Sequence, residues 1–427
     1  MTVTRVSALR EATRNETPAR LRLWSALVVT AAAALLAATG LVMARVQDQV
    51  RIIGREAAPQ AATAADLYFA LSDMDAQVTR LLLTGDADAL AGTRVDALGA
   101  YRSRSRQVDA DLRLLMSSAA PVDLLDGLAV YHQRIGQTLA AGEKGAAGAL
   151  PPDALGYFTQ ATNILHLRLL PAAQQLRDTA TTRLDEAYSA KRVTESVGLT
   201  LAVLLGGTLL ALLVVLQVWL ARRFRRSWNP ALLAATGLSL LITVAPVVVL
   251  SAQATRMTDG RAADLNPYLE LSRLRAVGYD AAADTSRYLV SGNLALYRDG
   301  FAGKSGCVTG EGCDGPGVGA LAGDEALRRW QAYRRDHEKV LQLTDSGRTG
   351  EAVEALTGIR RGDAAFDFAY FDAEVGAVTD VRKQGFDRAL RGAERTLRGW
   401  TGIPLVVLGL VILLVPLGVR RRLAEYR

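Results

Sequence analysis

Two cysteines, three histidines and several aspartate–arginine groupings are the residues of this sequence whose types invite chemistry. Cys307 and Cys313 lie inside the glycine-rich stretch 303–319. A zinc site needs about four ligands and a redox motif wants Cys-x-x-Cys, so five residues between two thiols fit neither. In a segment outside the cell membrane thiols oxidise, and a local disulfide pinning the stretch is the expectation. His132, His166 and His337 have no second histidine three or four residues away. Packed or half-exposed rings are expected there, not metal ligands. Asp109, Asp111 and Arg113, and likewise Asp336, Glu338 and Lys339, have the spacing of solvated helix faces. Phe366, Phe368, Tyr370 and Phe371 crowd one stretch and are expected in a core. No Gly-x-Ser-x-Gly elbow and no phosphate loop occurs. The expectation is a non-enzyme without catalytic, cofactor or metal residues.

The elements that position these residues follow from charge and hydropathy. Half of the 427 residues are hydrophobic, and the net charge is +7. Four stretches carry no charge and are long enough to cross ~30 Å of hydrocarbon: 24–43, 197–220, 230–252 and 401–419. Their lack of any Asp, Glu, Lys, Arg or His removes the usual markers of an ion or substrate path. Ala44-Arg45 has some likeness to a cleavage site. The preceding apolar run exceeds the ~7–15 residues of a signal peptide, so it reads as an anchor.

Basic residues cluster beside one side of these spans. Arg5, Arg10, Arg14, Arg20 and Arg22 precede the first; Arg222, Arg223, Arg225 and Arg226 follow the second; Arg420, Arg421, Arg422 and Arg427 follow the fourth. The positive-inside rule makes 1–23, 221–229 and 420–427 cytoplasmic, and 44–196 and 253–400 extracytoplasmic. These arginines can also bind anionic lipid headgroups. Nucleic-acid binding is not expected, because the clusters are short and lack a recognition fold.

The two outer segments share a plan. Arg80-Leu81-Leu82-Leu83-Thr84-Gly85-Asp86 aligns with Arg287-Tyr288-Leu289-Val290-Ser291-Gly292-Asn293 at an offset of 207, which also carries the first span onto the third. The sequence thus reads as span–module–span twice, a parallel repeat unlike the inverted repeats of transporters. Leu67, Leu71, Met74, Val78 and Leu81 alternate spacings of four and three, a helical stripe. Leu98 to Leu115 and Leu125 to Leu139 continue it, and a helix from about Asp153 runs into the second span with a kink at Pro171. In the second segment, 254–291 and 363–400 are the long helices, with Trp330 to Leu341 between them. The fold expected is all-α and integral to the membrane: four transmembrane helices and two extracytoplasmic up-down four-helix bundles. Loops 84–93, 142–153 and 291–323 then fall at the ends of the bundles away from the membrane; the last, long, glycine-rich and pinned by its cysteines, is expected to help dock an extracytoplasmic partner, with a tolerated surface insertion as the other reading.

The closing Leu-Leu-Thr-Gly-Asp of 82–86, and Trp330-Gln331-Ala332-Tyr333 followed by Gly350-Glu351-Ala352, resemble the four-helix-bundle sensor domains of bacterial chemoreceptors and histidine kinases. Nothing in this sequence corresponds to their kinase-coupling domain. The whole-chain layout resembles an actinobacterial family of four-span membrane proteins encoded beside a glutamine-type amino-acid-binding lipoprotein and the soluble serine/threonine protein kinase G. That resemblance implies an extracytoplasmic amino-acid-binding lipoprotein as one partner and a cytosolic serine/threonine kinase or adaptor as the other. Two other readings stay open: a chemoreceptor-like sensor that binds a small molecule directly, and an accessory protein of a cell-envelope complex. Oligomeric state is left open too.

Overall fold

The computed structural model describes residues 3–116, 122–224, 230–292, 294–400 and 402–424, and among them it is all-helical. In chain order the helices are α1 (Val3–Ile52), α2 (Ala58–Thr84), α3 (Ala91–Met116), α4 (Val122–Gly142), α5 (Pro152–Ile164), α6 (Leu170–Phe224) and α7 (Pro230–Gly260). Then come α8 (Asn266–Val290), α9 (Ala295–Thr309), α10 (Val318–Ala322), α11 (Asp324–Asp345), α12 (Thr349–Thr357), α13 (Ala364–Leu397) and α14 (Ile403–Ala424). Four of the helical runs are long and apolar enough to cross a membrane.

The chain divides into two compact units, one of 1–54, 186–259 and 388–427, the other of 55–185 and 260–387. The first holds the four apolar spans. Their shared core is Val28, Ala32 and Leu35 of α1, Leu209, Leu213 and Leu216 of α6, Leu232, Ala235 and Ile242 of α7, and Leu408, Val411 and Val415 of α14. In hydrocarbon, apolar side chains gain little from meeting one another, so small residues and interhelical hydrogen bonds take over. A methyl group at Gly206 would overlap Thr243, and one at Gly198 would overlap Val42. Gln217 Nε2 donates to Thr236 Oγ1 across α6 and α7 at 2.8 Å.

The second unit contains helices from both outer segments. The two do not stand apart as separate modules within it: α2 packs along α8 over much of its length. Phe69 meets Tyr279 edge-on at 5.4 Å between ring centres, and Tyr268 donates to Asp66 at 2.9 Å. Loops 84–93 and 142–153 come together, with Asp86 N donating to Gly145 O at 3.0 Å and Gly148 N to Leu83 O at 2.9 Å. Gly85, which closes α2, has a φ of 48° and packs so closely on 145–147 that no side chain fits.

Two expectations need correcting or sharpening. The stretch 291–323 is not one long loop: 295–309 form α9, and 318–322 a further short helix. Phe301, Ser305 and Val308, at spacings of four and three, bury one face of α9 and carry it despite its glycines. Cys307 and Cys313 are joined by a disulfide that ties the end of α9 to the turn after it. The kink at Pro171 is a π-turn, 165–169, immediately before α6. Two more π-turns occur, 53–57 and 261–265, and a proline stands two residues beyond each of the three: Pro59, Pro171 and Pro267. Proline offers no N–H to the carbonyl four residues back, and its ring crowds that carbonyl; a widened turn relieves the clash. For Pro267 the freed carbonyl belongs to Ala263, and Arg382 Nη1 donates to it at 3.0 Å.

Candidate functional site

Where α2 meets α8, acidic residues of both outer segments converge on one arginine. Arg287 is fully buried. Its Nη1 donates to Asp284 Oδ1 at 2.5 Å and Asp280 Oδ1 at 3.1 Å, and its Nη2 pairs with Asp75 Oδ2 of α2. Tyr131 of α4, also buried, donates to the other Asp75 oxygen at 3.0 Å. Lys304 of α9 reaches Asp280 Oδ2 at 2.8 Å and Asp284 Oδ2 at 2.6 Å. His166 of the 165–169 π-turn places Nε2 3.1 Å from Asp280 Oδ1 and Nδ1 3.0 Å from Thr162 O. Both ring nitrogens face acceptors. Arg287 and Lys304 thus meet three carboxylates in this cluster.

Burial works against the charge on Arg287, but Asp75, Asp280 and Asp284 outweigh it and hold the guanidinium protonated well above its ordinary range. Burial likewise works against ionised Asp280. The His166 hydrogen bond, with Lys304 and Arg287, wins and holds that carboxyl well below the usual range. Breaking up such a group leaves uncompensated buried charge, which is costly. The cluster is therefore a lock between the two outer segments.

Beside the lock lies a cavity of about 220 Å³. Ala76, Gln77 and Arg80 of α2 form one wall, and Tyr279, Ala282 and Ser286 of α8 another. Tyr333 of α11, Leu356 of α12 and Phe368 and Asp372 of α13 complete it. Asp372 is already engaged, by Arg275 Nε at 2.9 Å and by Tyr279 Oη at 2.9 Å. Arg80 is not. Among the described residues no hydrogen bond or ion pair reaches it, and its Nε is buried without a partner. Burial lowers its pKa, and only the more distant Asp96 and the Tyr279 phenol oppose this.

The 207-residue offset explains what differs at the two arginines. Asp73, Gln77 and Arg80 stand where Asp280, Asp284 and Arg287 stand in the second segment, and Ala282 stands where Asp75 does in the first. Asp73 is taken by Arg104 and by Gln77 Nε2, the latter at 2.8 Å. Arg80 thus lacks the carboxylates that surround Arg287.

The histidines scatter among these features. His166 joins the lock, and His132 packs edge-on to Tyr101. His337 is buried, stacked on Phe301 and 2.8 Å from Thr285 Oγ1; burial and the nearby Arg298 and Arg334 lower its pKa to about 3. Asp336 departs from the expected solvated face: it is buried against Asp367, and burial together with that neighbour raises its pKa to about 7. Asp111 is half-buried, and burial raises it to about 6. Phe368 and Phe371 pack against Tyr333 and Trp330 as core, whereas Tyr370 is exposed. Arg222 and Arg420 are exposed at the ends of their helices. Arg223 lies on α6, Arg421 and Arg422 lie on α14, and Arg225 and Arg226 fall outside the described residues. Pattern reading missed the lock and the cavity, because their members are separated by up to 212 residues in sequence. The signal present was the Arg80–Arg287 match.

No curated protein and no solved structure matches the chain. Residues 49–189, which carry α2 to α5 and the lock residues Asp75, Tyr131 and His166, match the family model of the actinobacterial sensor domain, so over this segment the chain is similar to actinobacterial sensor proteins.

Proposed function

We propose that the chain is a non-enzymatic transmembrane signalling protein that senses outside the cell membrane and passes the signal to a cytosolic serine/threonine kinase or its adaptor. The observation that carries the reading is the sensor-domain match over 49–189, a segment whose last helix runs unbroken from Leu170 into an apolar span ending at Phe224. A helix continuous from sensor into span transmits a small shift along its axis, because packed helices move between discrete arrangements. In this reading both termini and 221–229 face the cytoplasm beside anionic lipid, a topology that the arginine clusters support. An amino-acid-binding lipoprotein is the outer partner in this reading, as the family resemblance implies.

Photo-crosslinking residues placed at the exposed position 338 and at position 224 in intact cells test it. Position 338 is expected to capture an amino-acid-binding lipoprotein, and 224 a kinase or adaptor. Capture of neither, with normal protein levels in the membrane, refutes the relay. The cavity favours a second reading in which a small molecule binds directly. Saturable binding by the isolated protein, without any lipoprotein, is what separates the two.

A further inference from the structure

We propose that the cavity between α2 and α8 binds a small organic monocarboxylate with a compact apolar body, its carboxylate seated on Arg80 and its body against Tyr333, Phe368 and Leu356. The proposal rests on the direct-sensing reading and names the chemistry of that site.

The argument begins with Arg80. A guanidinium offers five N–H donors in a fork that matches a carboxylate, and removing it from water without a counter-ion is unfavourable. Here Nε is buried and bonded to nothing, and among the described residues no side chain bonds the two Nη atoms. Its counterpart 207 residues on, Arg287, likewise leaves Nε unpartnered, but both of its Nη atoms are taken by carboxylates. It takes Asp284 from three residues earlier on its own helix and Asp75 from the facing helix. Around Arg80 those two places hold Gln77 and Ala282, neither of them an acid, and both line the cavity. Space stands where a carboxylate stands in the other half of the unit. The Asp372 carboxylate cannot fill it, being held by Arg275 and Tyr279. The electrostatic demand of the cavity is therefore for one negative charge.

The remaining walls define the rest of the ligand. Alanines 76, 282, 364, 365, 369 and 373 leave room, and aromatic rings with Leu356 supply apolar contact. A volume of about 220 Å³ corresponds to roughly seven waters of liquid. That suits an aryl or branched aliphatic acid and excludes a nucleotide or an oligopeptide. Both helices that form the main walls belong to the interface joining the two outer segments, so an occupant bridges those segments as the Arg287 lock does.

The test uses the full chain in detergent micelles, with phenylacetate as probe and phenylacetamide as its uncharged counterpart, by calorimetry. Saturable phenylacetate binding, with phenylacetamide and the Arg80→Gln variant each at least about tenfold weaker, is expected from the loss of a charge-assisted pair. Ala282→Asp should supply the missing carboxylate internally, raising the thermal midpoint and abolishing phenylacetate binding. Ala365→Leu, which fills space and leaves Arg80 alone, should also abolish binding and serves where Ala282→Asp does not fold. No saturable binding to folded native protein at millimolar phenylacetate overturns the proposal. So does equal binding of the amide, or full binding by Arg80→Gln. These measurements need no partner protein, so a null result leaves the crosslinking outcome at positions 224 and 338 to be judged separately.

Discussion

Replacing Arg287 by methionine tests whether the charged lock holds the two outer segments together. The substitution keeps most of the apolar volume and removes the guanidinium. Asp75 and Asp284 then remain almost without exposure, and Lys304 is left paired with Asp280 and Asp284 while Asp75 keeps no cation. Removing one partner of a buried pair costs about 3–5 kcal/mol. For a unit of this size each kcal/mol moves the midpoint by about 2–4 °C, so a fall of about 6–20 °C is expected. Trp330, fully buried in the same unit, reports the transition by fluorescence in the solubilised full chain. Asp75→Leu alone should be costly too, because Arg287 loses its contact across the helix pair and Tyr131 loses its acceptor. The double variant Asp75→Leu/Arg287→Met should be distinctly less damaged than the sum of the two, since each single change strands the other's charge. Additive losses, or a midpoint within about 3 °C of native for Arg287→Met, would refute the lock.

Three further outcomes follow. Asp336 has a folded pKa of about 7 against an ordinary 3.8, so its stabilising proton is fully bound at low pH and lost as pH rises through about 7. Thermal midpoints should therefore fall between about pH 4 and pH 7 in native protein and stay flatter in Asp336→Asn; an identical slope in both would dismiss the Asp336–Asp367 pair as the cause. Cys313→Ser should cost about 2 kcal/mol by the short-loop estimate, and unreduced, denatured native protein should titrate no free thiol. Single cysteines at 100 and 338, in a background lacking Cys307 and Cys313, should react with an impermeant reagent in wall-stripped cells, and one at 224 should not; protection of both outer positions reverses the orientation.

The apolar spans were legible because uninterrupted uncharged runs of about twenty residues have few other uses. The helical stripe from Leu67 to Leu81 was legible for the same kind of reason, and each of its members is buried. The kink at Pro171 was visible from one residue type, although its form as a π-turn was not. The helix at 295–309 was hidden by glycines at 300, 303 and 306, which lower helix propensity by about 1 kcal/mol each and outweighed the Phe301–Ser305–Val308 face. The lock and the cavity were illegible because aspartate in a helix is usually solvated. Nothing local distinguishes Asp75 and Asp284, which are buried, from Asp109, whose face is exposed. Only the pairing of α2 with α8 tells them apart, and that pairing joins residues more than 200 apart.

The proline-marked π-turns bear on how these helices tolerate changes of length. A π-turn holds one residue more than the α-turn it replaces, so it stores an extra residue without disturbing the faces on either side. Deleting one residue between 261 and 265 tightens that turn and keeps α8 in phase with what precedes it. The same deletion a turn later, within α8, rotates everything beyond it by ~100°. Ser272 and Arg275 would then move to the core positions that Leu271 and Leu274 occupy with no exposure at all. Among the described residues, 53–57, 165–169 and 261–265 are thus the places where a single codon can be lost from a long helix while its buried face stays aligned.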